Sequence, residues 1–187
     1  DIKSENVIVG RFGELCLADW GISVRKSELR AGGPPRIVGT PSHLAPEMAR
    51  GDVASIDERT DVCLLGSPLH EILTGGEGRH VEHRAGASEG ESGGLLTALL
   101  RAIESAPAEH ADTVSRQLVD IENRATAREP RERYPSARAF REAIADYLRH
   151  ESSVSLSRAA EERQTELNAL LAEPDAQPVE AVYRLLS

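Results

Sequence analysis

The start of the chain contains four polar side chains whose types and spacing suit phosphate chemistry. Asp1, Lys3 and Asn6 follow one another closely, and Asp19 stands further along. Carboxylate and amide oxygens are ligands that Mg²⁺ prefers, usually with substrate phosphates completing its shell. A lysine beside them can neutralise a phosphoryl group during its transfer. The alternative is the polar end of an ordinary hairpin, the commoner setting for any one of these residues.

Two short apolar runs must position these side chains. Residues 7–9 (VIV) and 15–18 (LCLA) have the composition of strands, and the glycines at 10 and 13 favour a turn between them. The pattern predicts a β-hairpin. Its polar residues precede the first strand and follow the second, so three oxygen ligands are expected at one end.

Most of the remaining chain has helical patterns. The segment 58–74 is strongly apolar and ends before Gly75, which predicts a buried helix, although Pro68 inside it is unfavourable. Residues 95–105 and 113–127 also have helical periodicity, and a Gly-rich loop is expected at 75–94.

A further helix is expected after Ser136, which is a suitable N-cap. Phe140, Ile144, Tyr147 and Leu148 recur at helical spacing and predict its buried face. Beyond residue 150 the sequence is rich in Ala, Glu and Leu, which predicts a solvent-facing helix, and a second helix is expected near the end of the chain.

Composition limits the classes of function. The formal net charge of −9 argues against binding of nucleic acid through phosphate neutralisation. No apolar run approaches the length of a membrane span, and no signal peptide is present, so we expect a cytoplasmic location. Cys16 and Cys63 lie in apolar runs and are predicted to be free, buried thiols.

Four separated motifs, in order, resemble those of a protein kinase, most closely the bacterial eukaryotic-like (Hanks-type) serine/threonine kinases. They are DIKSEN followed by the hairpin and DWG, GTPSHLAPE at 39–47, TDVCLLGSPLHEILTG at 60–75, and EPRERYPSA at 129–137. The resemblance extends over about residues 1–149. It implies a mainly α structure, the large lobe of the α+β kinase fold, with a small β-hairpin and a helical bundle.

The same resemblance suggests a domain organisation. Residues 1–150 are expected to form the C-terminal lobe of a kinase domain, beginning at the catalytic-loop aspartate, with the N-lobe missing. Residues 151–187 are expected to form a helical linker or extension toward a missing C-terminal module.

The resemblance also implies catalytic roles. Asp1 would orient the substrate hydroxyl and accept its proton, and Lys3 would stabilise the γ-phosphoryl group. Asn6 and Asp19 would hold Mg²⁺, and with Lys3 they would contact ATP. Thr40 would hydrogen-bond around Asp1 and Lys3 and shape the acceptor pocket.

Three further residues have structural roles in the family. Glu47 would pair with Arg133 in a buried ion pair. Asp61 would accept backbone N–H bonds from the catalytic loop. These roles concern architecture rather than chemistry.

The expected function is transfer of the ATP γ-phosphate to serine or threonine hydroxyls of protein substrates. ATP and Mg²⁺ are the expected cofactors, and neither a nucleic-acid partner nor a membrane segment in this chain is expected. The chain alone is expected to be inactive. The alternative is a pseudokinase or scaffold, a binding module on the same fold.

Some positions depart from the family pattern. Ser4 replaces the usual proline of the catalytic loop, and Leu64 replaces a small residue in the central helix. Ser27 is the best candidate for a regulatory phosphosite. His80 and His83 have a spacing found in metal sites, but no further ligand pair accompanies them, so a solvated loop is expected.

Overall fold

The computed structural model of the chain describes residues 1–25, 27–28, 38–76 and 91–172. Over these residues the protein is mainly helical, with one small antiparallel sheet, which confirms the predicted fold class. The backbone divides into two compact units, Asp1–Ile144 and Ala145–Ser187. The domain assignment from sequence, with its boundary near residue 151, stays a prediction.

The sheet is the predicted hairpin. Strand β1 (Val7–Val9) pairs with strand β2 (Leu15–Leu17), and Ile8 lies opposite Cys16. At the open end, the Ala18 amide donates to the Asn6 carbonyl at 2.8 Å and extends the pairing by one residue.

The hairpin exposes most of its apolar side chains. Ile8, Val9 and Leu15 are 56–72% exposed, and Phe12 in the turn is 89% exposed. Cys16 is exposed as well, so the prediction that it is buried is wrong, whereas Cys63 is buried and both thiols are free. Cys16 is exposed because no helix or strand among the described residues covers this side of the two-stranded ribbon.

Helix α1 (Pro46–Arg50) is short and follows the GTPSHLA segment. Pro46 occupies its first turn, where a missing N–H costs nothing because that group has no partner inside the helix. The helix ends at Gly51, whose φ of 68° is the left-handed conformation that glycine adopts readily.

Helix α2 (Glu58–Thr74) has the predicted bounds and contains more buried residues than any other helix in the described part of the chain. The Asp57 side chain accepts from the Arg59 amide, and Thr60 completes a capping box. Gly75, with φ 81°, ends the helix. Pro68 is accommodated within it.

Three more helices complete the described structure. Helix α3 is Glu91–Glu104, helix α4 is Arg116–Ala125 and helix α5 is Ala137–Leu171. Helix α3 begins at Glu91, four residues before the predicted start, so it includes the Gly-containing segment at 91–94. Gly66 of α2 has no Cβ, and a Cβ there would clash with the Thr126 side chain just after α4.

Helix α5 begins as predicted, with the Ala139 amide donating to the Ser136 hydroxyl at 3.2 Å. Phe140 and Tyr147 are buried, but Leu148 is 56% exposed, so its assignment to the buried face is wrong. The buried stripe is narrower than the apolar pattern suggests. The helix continues without a break through residue 150, and its later residues are solvent-exposed, as predicted.

No helix in the described ranges is both long enough and apolar enough to cross a membrane. The predicted helix near the chain end lies outside the described residues. So do most of the Gly-rich segment at 75–94 and the His80–His83 pair.

Candidate active site

The segment before the hairpin forms a tight loop. Residues Ser4–Asn6 form a single 3₁₀ turn, in which the Asn6 amide donates to the Lys3 carbonyl at 3.0 Å. The Asn6 side chain reaches back, and its Nδ2 donates to the Asp1 carbonyl at 2.7 Å. This bond fixes Asp1 relative to the start of β1.

Thr40 lies at the centre of a polar cluster with Asp1 and Lys3. Its backbone amide donates to Asp1 Oδ1 at 3.2 Å, and its hydroxyl donates to Asp1 Oδ2 at 3.1 Å. Lys3 Nζ donates to the Thr40 hydroxyl at 2.9 Å and lies 3.6 Å from Asp1 Oδ2. The structure therefore brings together the three residues predicted to be catalytic, although Thr40 is distant from the other two in sequence.

Gly39 permits this close approach. Its φ is +118°, a conformation that L side chains rarely adopt, and a Cβ there would lie 3.0 Å from Leu44 Cδ2 and 3.8 Å from Asp1 Oδ1. A side chain at residue 39 would therefore disturb the position of Thr40 beside the carboxylate.

Asn6 and Asp19 lie at the same end of the hairpin. The Ala18–Asn6 backbone bond places the residue before Asp19 beside Asn6. Asp19 has φ 54°, and its Oδ1 accepts from the Gly21 amide at 3.1 Å. Asn6 Nδ2 donates to the Asp1 carbonyl, so Oδ1 is the atom of this amide that could act as a metal ligand. An exposed carboxylate and an amide oxygen form a donor set that fits Mg²⁺.

Glu47 and Arg133 form a bidentate ion pair in the interior. The two guanidinium nitrogens lie 2.7 and 2.8 Å from the two carboxylate oxygens, and both side chains are at most 1% exposed. Their separation in sequence is 86 residues. The structure thus places the two residues in the contact that the resemblance implies.

Other groups satisfy the remaining hydrogen-bonding capacity of this pair. The Thr60 hydroxyl donates to Glu47 Oε1 at 2.7 Å, and Arg133 donates to the carbonyls of Ala127, Arg59 and Arg128. Burial opposes the charge of Glu47, but the hydrogen bonds and the positive charge of Arg133 prevail and lower its pKa below 4.5. The pKa of Arg133 is raised, because its bonds to Glu47 outweigh its desolvation.

Asp61 is the predicted site residue with the fewest visible contacts. The residue is exposed, and the hydrogen bonds among the described residues include none from the segment 1–6 to its carboxylate. Partial desolvation of the carboxylate raises its pKa. The predicted role of Asp61 as an acceptor of backbone bonds stays a prediction.

A hydrogen-bonded chain that the sequence did not predict joins the segment before the hairpin to helix α2. The Ser4 hydroxyl donates to Glu71 Oε2, and His43 Nε2 lies 2.8 Å from Glu71 Oε1. The Ser42 hydroxyl lies 2.8 Å from His43 Nδ1. The replacement of the usual proline by Ser4 was the available signal, because only a residue with a side-chain donor can reach Glu71.

A second cluster outside the predicted site contains His70, His110 and Glu122. His70 Nδ1 lies 3.0 Å from Glu122 Oε1, and His110 Nε2 lies 2.6 Å from Glu122 Oε2. No motif spacing signals this cluster, because its members come from three separate segments.

The helical fold and the Asp–Lys–Thr cluster together are those expected for the large lobe of a protein kinase. Sequence comparisons lead to the same class, although no family model matches the chain. Serine/threonine-protein kinase PknD of Chlamydia caviae is 32% identical over 165 residues, which covers 79% of this chain and 17% of that protein. PknD of Chlamydia abortus is 30% identical, covering 79% of this chain and 16% of that protein.

A further relative is named for a different specificity. Tyrosine-protein kinase MasK of Myxococcus xanthus is 31% identical over 148 residues, which covers 79% of this chain and 21% of that protein. The chain spans about a fifth or less of the length of these curated relatives. They confirm the resemblance recognised from the motifs: about four fifths of the chain is similar to part of these bacterial protein kinases.

Proposed function

We propose that this chain supplies the catalytic loop and the metal-binding turn of a serine/threonine protein kinase. The observation that supports the proposal is the convergence of Lys3 and Thr40 on the carboxylate of Asp1. An aspartate held in this way suits a group that orients a hydroxyl and receives its proton.

The proposed reaction transfers the γ-phosphoryl group of ATP to a protein hydroxyl. The hydroxyl oxygen forms the new bond to phosphorus while the bond to the ADP oxygen breaks, and the hydroxyl proton passes to Asp1. Lys3 neutralises charge on the moving group, and its contact with Thr40 holds its ammonium near Asp1. Asn6 and Asp19 would hold Mg²⁺, which supplies positive charge at the phosphates when bound.

Specificity for serine and threonine rests on Lys3, since a lysine two residues after the catalytic aspartate is the form found in serine/threonine kinases of the family. The PknD relatives are named serine/threonine kinases, whereas MasK is named a tyrosine kinase. Phosphoamino-acid analysis of the labelled product distinguishes the two: phosphoserine and phosphothreonine are expected, and phosphotyrosine alone would contradict the specificity.

The central test is substitution of the two acidic residues in the full-length product of the encoding gene. Asp1→Asn removes the proton acceptor, and Asp19→Asn weakens the metal site, so each should lower the rate by at least about 10²-fold. Transfer of radiolabel from ATP to a generic protein substrate measures the effect.

Glu5→Gln is the matched control, because it removes an exposed carboxylate from the same loop without touching the cluster. It should keep the parental rate, and circular dichroism should show that all three variants are folded. Parental activity in Asp1→Asn would contradict the proposed chemistry. A wild-type protein that binds ATP or a protein partner but transfers no phosphate would favour the pseudokinase alternative.

A further inference from the structure

His70, His110 and Glu122 come from three segments and meet away from the candidate active site. His70 belongs to α2, Glu122 belongs to α4, and His110 lies in the segment between α3 and α4. Each residue offers one ligand atom, and the three atoms all lie within 4.8 Å of one another. The two imidazole nitrogens approach different oxygens of the same carboxylate.

The cluster is enclosed by protein. The side chains of Glu122 and His110 are 0% and 2% exposed, and that of His70 is 11% exposed. A carboxylate removed from water requires positive charge or hydrogen-bond donors beside it. Two imidazoles meet that need either by donating N–H groups to Glu122 or by sharing a cation with it.

We propose that His70, His110 and Glu122 bind one Zn²⁺ ion. Tetrahedral zinc with bonds of about 2.0 Å separates its ligand atoms by about 3.3 Å. The two nitrogen–oxygen pairs lie 3.0 and 2.6 Å apart, and all three ligand atoms lie within 4.8 Å of one another. Small movements of the side chains would therefore admit the ion. Two nitrogen ligands and one oxygen suit zinc, whereas Mg²⁺ prefers an all-oxygen shell.

A neighbouring cavity supplies access and room for a fourth ligand. It has a volume of about 380 Å³, and its lining includes His70, Arg101, Glu104 and Glu109. Water entering from this side can complete the tetrahedron, as it does in other sites with three protein ligands. Two glutamates and one arginine line the cavity, so its charged side chains sum to −1, which favours a cation only weakly.

The proposed role of the ion is structural. The segment 105–115 between α3 and α4 contains neither helix nor strand. Hydrogen bonds attach it to the region of α4. The Ala108 amide donates to Asn123 Oδ1 at 2.7 Å, Asn123 Nδ2 donates to the Ala108 carbonyl at 3.4 Å, and the Ser105 hydroxyl donates to the Thr126 carbonyl at 2.7 Å. A zinc ion would replace the His110–Glu122 and His70–Glu122 contacts with metal bonds that join this segment, α4 and α2.

The test measures bound metal and thermal stability of the chain purified without a polyhistidine tag. After equilibration with Zn²⁺ and removal of loose metal, one zinc per chain is expected by elemental analysis. Zinc at a hundredfold excess over its dissociation constant should raise the melting temperature by about 5–10 °C, and Mg²⁺ should not. Co²⁺ in the same site should give the visible absorption bands of tetrahedral cobalt.

Two variants keep the hydrogen bonds but remove ligands. His110→Gln retains a side-chain donor toward Glu122, and Glu122→Gln retains the shape of the carboxylate. Each should lose the bound zinc and the zinc-dependent rise in melting temperature. Both should stay folded in chelator, as judged by circular dichroism; if one does not, the other decides the outcome.

Two control variants test other histidines. His150→Ala removes an exposed histidine, and the His80→Ala/His83→Ala variant removes the pair with metal-like spacing. Both should keep one zinc per chain. Loss of zinc in a control, or retention of zinc in His110→Gln and Glu122→Gln, would overturn the proposal. A wild-type chain without zinc would also overturn it and leave a purely hydrogen-bonded cluster.

Discussion

At the scale of single residues, the position of Thr40 is the most informative feature of the candidate active site. Its hydroxyl accepts a hydrogen bond from Lys3 and donates one to Asp1. One oxygen atom therefore sets the distance between the Lys3 ammonium and the Asp1 carboxylate, the proposed proton acceptor. Its backbone amide holds the other carboxylate oxygen. Loss of the hydroxyl would leave only the amide bond and the longer Lys3–Asp1 contact to orient the carboxylate.

We therefore expect Thr40→Ala to reduce phosphoryl transfer by about 10²-fold in the full-length gene product, because a small displacement of reacting groups is costly. Thr40→Ser keeps the hydroxyl and should retain most of the activity. Steady-state rates with a protein substrate measure both variants. Equal rates for the alanine and serine variants would show that the hydroxyl does not position Asp1.

At the scale of elements, the Glu47–Arg133 pair joins α1 to the segment before α5, and Thr60 adds the start of α2. A buried ion pair adds little over a well-packed apolar pair, but removal of one partner leaves an uncompensated charge in the interior. The pair therefore makes the contact between these elements specific.

Glu47→Gln should lower the free energy of unfolding by about 3–5 kcal/mol at pH 7, because it leaves the Arg133 charge without its partner. The pKa of Glu47 is lowered below 4.5 in the folded state. The stabilisation that the ionised Glu47 carboxylate provides is therefore complete above about pH 4.5, and it is lost as the pH falls through the pKa of the folded state. Urea unfolding from pH 7 to pH 3 should show the wild type approaching the variant in acid.

The exposed Glu132→Gln is the matched control for that experiment, since it changes the same group one residue from Arg133 without entering the pair. Its unfolding should resemble that of the wild type. A Glu47→Gln protein with wild-type stability at pH 7 would contradict the structural role of the pair.

The sequence predicted these elements well where a motif or a stop signal marked them. Helix α2 has the predicted bounds because Gly75 ends it, and Thr40 and Arg133 were found because their motifs are distinctive. Burial was predicted less well. The apolar neighbours of Cys16 could not show that nothing covers β2, and the helical pattern around Leu148 could not show how narrow the buried stripe is. The His70–His110–Glu122 cluster depends on tertiary contacts alone.

At the scale of the whole molecule, the hairpin and the residues beside it expose several large apolar side chains. Ile8, Val9, Phe12, Leu15 and Trp20 are each more than half exposed. Grouped apolar side chains of this kind mark a site of association. In the proposed kinase, the hairpin would face the small lobe, which would also supply the contacts to the adenine and the inner phosphates.

A polypeptide of these 187 residues alone should therefore neither bind Mg-ATP tightly nor transfer phosphate. Its proposed contacts to nucleotide are few, namely Lys3, Asn6 and Asp19, and Mg²⁺ held by so few protein ligands keeps most of its water. Without the rest of the nucleotide site the γ-phosphate is not positioned for attack, and positioning can lower the activation free energy by up to about 7–11 kcal/mol. Calorimetric titration should show no binding tighter than millimolar, and micromolar binding would contradict this prediction.

The ion pair between Glu47 and Arg133 also has a consequence for the timing of folding during synthesis. Ribosomes add about 5–20 residues per second, so the 86 residues between the partners take about 4–17 seconds to make. During that interval the Glu47 carboxylate has no guanidinium partner, and α1 cannot be buried in its final place without stranding a charge. Burial of α1 in its final place is therefore expected only after Arg133 has been made.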